Sequence, residues 1–239
     1  MNGNSRDADD IRGISSMAMR HVLTELASVY AQRSRQQVSL VSVGGVEAAR
    51  RIGDGEPFDV VVLAADAIAQ LAASGRVDPA SCTDLARSGV AMAVAAGASR
   101  PDVGSEAAIR AAVLGARTIG YSTGPSGAHL VRLFDRWGIA EEIASRIVQA
   151  PPGVPVGTLV ASGVVELGFQ QLSELMHLPG IDVIGPLPPE IQVVTVFSAG
   201  VCTVCERRAA AAAWLAFLVS PEADVVKRRH GMDPATTAA

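Results

Sequence analysis

Cysteine is scarce in this 239-residue chain: Cys82, Cys202 and Cys205 are all it has. So small and odd a number excludes a scaffold stapled by disulfides and points to a reducing compartment. Cys202-Thr-Val-Cys205 has CxxC spacing, but it sits inside the apolar, β-like run Val193–Val204. Neither a second CxxC nor a histidine pair follows to complete a zinc site, so both sulfurs are expected as buried structural thiols. Charge is scarce too. Charged residues make up 18% of the chain and the formal net charge is −4, which gives no general attraction to nucleic acid or to an anionic membrane. No apolar run reaches about 18 residues without a charge or a breaker, so no membrane span is expected. The first ten residues carry neither a basic nor an apolar block, so they do not read as a signal peptide, and the sequence as it stands reads as cytoplasmic. No P-loop, nucleophile elbow or metal-ligand cluster appears, so neither a cofactor nor a metal is expected.

What is present is a globular composition, 49% hydrophobic, and a recurring unit of strand, polar turn and helix. Ile11–Ile14 is a short apolar strand that runs into Ser15-Ser16. From Ser16 to Ser34 the residues Met17, Val22, Leu23, Leu26, Val29 and Tyr30 recur at helical spacing, so Ser15 or Ser16 is expected as the N-cap, its hydroxyl and the free backbone N–H groups facing a place where an anion can sit. Gln37–Val43 alternates as a strand, Gly44-Gly45 turns it into the helix Val46–Ile52, and Phe58–Leu63 is a continuous apolar run of the kind found in central parallel strands. Asp66, just past the carboxyl end of that run, is a further candidate for lining a cleft. This succession requires a parallel sheet with right-handed crossovers.

After Asp84 the rhythm changes. Leu85–Ala95 is a long strand-like run, and Ile191–Val204 is a second one, its natural partner. Between them, Ser105–Leu114 is helical, and Arg117–Tyr121 is a strand ending in Ser122-Thr-Gly-Pro-Ser-Gly127, where three hydroxyls and two glycines precede a helix from about Ala128 to Trp137, as in an anion nest. Glu141–Ala150 reads as a helix and a short strand, Pro155 precedes the helix Val156–Ser162, and Val164–Phe169 is a strand that ends in Gln170-Gln171, an amide pair able to grip a carboxylate. His129 and Glu174 are the candidates for proton transfer. Glu206–Leu218 and Ser220–His230 are two closing helices, with Lys227-Arg-Arg-His230 as the solvated, dipole-compatible end of the second.

In order along the chain, Ile14-Ser-Ser-Met-Ala-Met19, Gly44-Gly45, Gly55-Glu-Pro-Phe-Asp-Val-Val60, Ala86-Arg-Ser-Gly-Val90, Ala161-Ser-Gly-Val-Val-Glu-Leu-Gly-Phe-Gln-Gln171 and Phe197-Ser-Ala-Gly200 resemble the molybdate-binding-protein-like branch of the type 2 periplasmic solute-binding family. The resemblance runs from about Ile11 to Met232. It implies a two-lobed α/β fold with a two-strand hinge and a ligand cleft between lobes. One lobe is expected from 1–86 and 195–239, the other from 87–194. It also implies that Ser15, Ser16, Gly44, Gly45, Ser122, Gly124, Ser126, Val156, Gln170 and Gln171 hold a small anion. Gln170-Gln171 stands where molybdate binders usually carry a tyrosine, so oxyanion and carboxylate ligands both stay open. Aconitate isomerase resembles the same branch. Two functions are therefore expected as alternatives: a binding protein that closes on a small oxyanion or carboxylate, and a cytosolic isomerase that moves a proton on an unsaturated di- or tricarboxylate. An ABC transporter is a partner only if the protein is exported.

Overall fold

A computed structural model describes residues 10–235. The polar, acidic start of the chain (1–9) and the end of its tail (236–239) lie outside the described residues. The chain divides into two compact α/β units, one formed by the chain up to Arg87 and again from Val196, the other by Ser88–Thr195.

The first unit begins as three strand–helix pairs: β1 (Ile11–Ser16) and α1 (Arg20–Ser34), β2 (Val38–Val43) and α2 (Gly45–Gly53), β3 (Val60–Ala64) and α3 (Ala65–Ala73). β1 lies parallel to both β2 and β3. β4 (Thr83–Ala95) then carries the chain into the second unit, and β9 (Val194–Val201) brings it back, antiparallel to β3. β3 shows why the sheet is central. Val60 and Val62 point into one apolar cluster with Leu23, Leu26 and Trp214, while Val61 and Leu63 point into another with Ile52, Ile68 and Leu71. A strand buried on both faces has no polar side to show, which is why its sequence is apolar without alternation. The helices α9 (Arg208–Leu218) and α10 (Pro221–Arg229) close the first cluster, and Tyr30 meets Trp214 edge-on, with ring centroids 5.1 Å apart.

In the second unit β4 pairs antiparallel with β7 (Leu167–Gln171) and β8 (Ile181–Pro186), and β5 (Ile119–Tyr121) lies parallel to β7 and to β6 (Ile147–Gln149). α4 (Glu106–Gly115) and α5 (Pro125–Arg136) cover one face through Ile109, Val113, Leu130 and Phe134. α6 (Ala140–Ile143) precedes β6. On the other face, α7 (Val156–Ala161) packs Val156 and Val160 together, and α8 (Leu172–Leu175) places Leu175 against Ala91 and Ala93.

Several elements differ from the sequence expectation. Ser15 and Ser16 belong to β1, because the ladder continues through Ser15↔Ser42 and Ser16↔Val43. A single 3-10 turn, Met17–Met19, separates them from α1. Gln170 and Gln171 lie inside β7, opposite Ala91 and Val90, rather than after it. α5 starts at Pro125, whose fixed φ and missing N–H suit the first helical position. Lys227 is 2% exposed and bonded to Asp224 at 2.9 Å, so that end of α10 is not wholly solvated.

Candidate functional site

In the first unit the two adjacent serines separate. Ser15 Oγ shares a hydrogen bond of 2.9 Å with Ser42 Oγ across the β1–β2 ladder. It is not an N-cap, and its oxygen is already engaged with Ser42. Ser16, the residue at which the extended chain turns into the 3-10 turn, is 8% exposed, and its Oγ is buried without a hydrogen-bond partner among the described residues. Burying a hydroxyl without a partner costs free energy, so an orphan of this kind calls for a reason. The first turn of α2 lies beside it: a Cβ placed on Gly45 would stand 3.9 Å from Ser16 Cβ. Gly44 is the N-cap of α2 and supplies no side-chain acceptor. Ser16, Gly44 and Gly45 thus gather an unpaired hydroxyl and the donor end of a helix. Asp66 is exposed in the first turn of α3.

In the second unit the loop at Ser122 folds on itself. Ser122 Oγ and Ser126 Oγ are 3.3 Å apart, and Gly124 N–H donates to Ser122 Oγ at 3.3 Å. Gly124 is the N-cap of α5. Gly127 is obligatory here, since a Cβ on it would lie 1.7 Å from the Ser122 carbonyl oxygen.

Val156 and Gln170 meet directly. The N–H of Val156 donates to Gln170 Oε1 at 2.8 Å, and Gln170 Nε2 donates to Glu174 Oε2 at 2.6 Å. Burial pushes the Glu174 carboxyl up to about 7, against a smaller opposing effect of the Gln170 bond. The carboxyl group therefore changes charge near neutrality, the range in which proton transfer is efficient. Ser173 Oγ, on the residue before Glu174, is buried and has no hydrogen-bond partner among the described residues.

Gln171 is engaged elsewhere. Oriented to satisfy both ends of its carboxamide, it accepts from Thr195 Oγ1 at 2.7 Å and donates to the Ser88 and Gly89 carbonyls at 2.9 and 3.1 Å. The Gln171 carboxamide is thus taken up by protein groups, and the pleat of β7 sends the side chains of Gln170 and Gln171 to opposite faces. His129 Nε2–H donates to the Ile191 carbonyl at 2.8 Å. It has a structural partner, and no hydrogen bond joins it to Glu174. The structure thus groups Ser16 with Gly44 and Gly45, Ser122 with Gly124 and Ser126, and Val156 with Gln170 and Glu174, while Ser15, Gln171 and His129 are occupied by other bonds. Sequence reasoning missed Ser42, Ser173 and Thr195. Only Ser42 carried a signal, as a polar residue at the end of an alternating strand.

Among the described residues no group of three His, Cys, Asp or Glu is placed to hold a metal, and no single helix is long and apolar enough to cross a membrane. Cys202 and Cys205 are buried; burial pushes their thiols up to about 12 and about 11, and Asp59 adds to both shifts. They are poor nucleophiles.

Two α/β units, linked by strands that carry the chain out of the first and back, are the architecture of a solute-binding protein. The family model for the bacterial extracellular solute-binding protein matches residues 11–233, and the chain belongs to that family. It is 34% identical over 227 residues to an aconitate isomerase from a Pseudomonas species, covering 92% of this chain and 86% of that protein. Among solved structures it is similar to the periplasmic molybdate-binding protein of Azotobacter vinelandii, with a TM-score of 0.79 and 20% identity over 96% of this chain and 100% of that one. It is also similar to the sulfate-binding protein of Mycobacterium tuberculosis, with a TM-score of 0.76 and 14% identity over 95% and 87% of the two chains.

Proposed function

We propose that this chain is a binding protein for a small anion, with a di- or tricarboxylate as its ligand class. The observation that carries the reading is Ser16: a buried hydroxyl without a partner among the described residues, beside the donor end of α2. A bound carboxylate or oxyanion oxygen gives that hydroxyl its missing bond and meets the partial positive charge of the helix. Membership in a solute-binding family supports binding, and the aconitate isomerase relative supports a polycarboxylate over an inorganic oxyanion. If the protein is exported, delivery to an ABC transporter is the use this reading implies.

A second reading is favoured by one further observation, Glu174, a carboxyl whose charge changes near neutrality. On an unsaturated tricarboxylate it would remove a proton from a methylene beside a carboxylate and return one at the far end of the shifted double bond. The donors at the site would stabilise the enolate-like charge between the two transfers. No net oxidation occurs and no cofactor is consumed.

The test is a thermal-shift screen against molybdate, tungstate, sulfate, phosphate and a panel of di- and tricarboxylates, each hit followed by proton NMR in deuterated water. A ligand that binds the native state raises the melting temperature by mass action. A carboxylate hit that is returned unchanged is the expected result for a binding protein. A carboxylate whose vinyl or methylene protons exchange makes it the isomerase. A screen in which only tetrahedral oxyanions bind overturns the carboxylate class.

A further inference from the structure

The Val156–Gln170–Glu174 chain has a direction that the geometry fixes. A backbone N–H can only donate, so the oxygen of the Gln170 carboxamide faces Val156, at 2.8 Å. The nitrogen must then face Glu174, where it donates to Oε2 at 2.6 Å. The carbonyl oxygen of a protonated carboxyl is the better acceptor, so the Gln170 bond on Oε2 favours placing a proton on Oε1. No hydrogen bond occupies Oε1 among the described residues. Gln170 itself is 2% exposed, so the arrangement has little freedom to reverse.

We propose that anion binding at this end of the second unit takes up one proton at Glu174 Oε1, which then donates to an oxygen of the ligand, and that Gln170 is the positioning residue that directs this proton. The inference rests on the anion-binding reading and deepens it. The preferred ligand is an anion with an oxygen basic enough to share a proton, as carboxylates have and sulfate does not.

Burial, opposed by the Gln170 bond, sets the direction of the Glu174 shift. The elements packed against α8 are β7 and α7, with Ala91 and Ala93 of β4 and Ile181 and Val183 of β8 beyond Leu175. β7, α7 and the β4 residues Val90–Ala95 contain no titratable group. β8 contributes Asp182, which accepts from the Gly97 N–H at 3.1 Å, and His177 follows α8 at an exposed position. Neither contributes to the raised pKa of Glu174, whose causes are burial and then the Gln170 bond. An anion arriving beside an ionised Glu174 brings like charge, which drives the group to its neutral form.

The experiment is titration calorimetry of the full chain with tricarballylate, a saturated tricarboxylate that cannot be isomerised, at pH 8 in MOPS, Tris and imidazole, whose ionisation heats differ. Tricarballylate is fully ionised at that pH, so proton uptake belongs to the protein. The expected result is net uptake approaching one proton per ligand, and affinity that tightens by about tenfold for each pH unit lowered from 9 to 7. In Glu174→Gln the binding that remains is weaker and carries neither the proton uptake nor the pH dependence. In Gln170→Leu the bond that lowers the pKa of Glu174 is lost, so the pH dependence moves to higher pH, a change that loss of packing alone would not cause. Tricarballylate binding without proton uptake, or with the same uptake in Glu174→Gln, overturns the proposal. Absence of binding to tricarballylate and to every other anion of the panel, at pH 6 and at pH 9, removes the anion-binding reading itself.

Discussion

Ser15 Oγ is bonded to Ser42 Oγ at 2.9 Å, whereas the hydroxyl of Ser16, one residue on, is buried with no partner among the described residues. The two serines should therefore respond oppositely to alanine. Ser15→Ala leaves the Ser42 hydroxyl unpaired and lowers stability by about 1 kcal/mol, with little effect on ligand affinity. Ser16→Ala removes an unsatisfied group and leaves stability within about 0.5 kcal/mol of the parent, but weakens anion binding by about tenfold or more. Urea denaturation and calorimetry on the two variants separate these effects.

The sequence made the fold readable because its strongest signals are local. Val60–Ala64 is apolar without alternation, as a strand buried on both faces must be, and glycines such as Gly44 and Gly75 close or open the helices beside their strands. The destination of each polar group was less legible. Whether Ser15 is free depends on what β2 places alongside it, and that is Ser42 only because the ladder register aligns them. Gln170 and Gln171 look equivalent as letters; the pleat gives one to Val156 and Glu174 and the other to the β4 backbone and Thr195. Register and pleat are tertiary facts, and a list of residue types does not contain them.

Gln171 is expected to matter for stability. Gln171→Leu leaves the carbonyls of Ser88 and Gly89 and the hydroxyl of Thr195 without their carboxamide partner. The loss should be about 2–4 kcal/mol, seen as a lower urea midpoint at unchanged slope.

Stability should fall as pH rises through the range in which Glu174 ionises. Its carboxyl has an ordinary value of 4.5 and is raised to about 7 in the folded chain. Below pH 4.5 the group is protonated both folded and unfolded, and no difference arises. Between the two values only the folded state holds the proton, so stability declines with rising pH, by up to about 3 kcal/mol once both states are ionised. Glu174→Gln should remove this component, and the difference between the two proteins in denaturation midpoint, followed from pH 4 to pH 9, measures it.

Gly127→Ala puts a Cβ 1.7 Å from the Ser122 carbonyl oxygen, whereas one on Gly124 would lie 3.6 Å from Ser122 Oγ, an ordinary contact. The first substitution should cost about 2–3 kcal/mol and displace the Ser122 loop, the second under about 1 kcal/mol. Thermal denaturation of the pair is a direct comparison.

Thiol labelling offers a test of the cysteines. Cys82 is exposed, while Cys202 and Cys205 are buried with thiols pushed far above neutrality. A water-soluble disulfide reagent should titrate one thiol promptly in the native protein and three in denaturant.

The second unit is one uninterrupted stretch, Ser88–Thr195, set inside the sequence of the first. During synthesis it is complete while the first unit still lacks β9, α9 and α10. Until those residues leave the ribosome, β3 has no neighbour on its β9 side, and the apolar residues that later meet Trp214 and Leu218 remain uncovered. The inserted unit can fold as it emerges, but the first must wait for its own ending, and its sheet closes only through contacts distant in sequence. Slow, late closure with an open apolar strand edge makes the nascent first unit the aggregation-sensitive part of this chain, and a chaperone that shields β3 would act there.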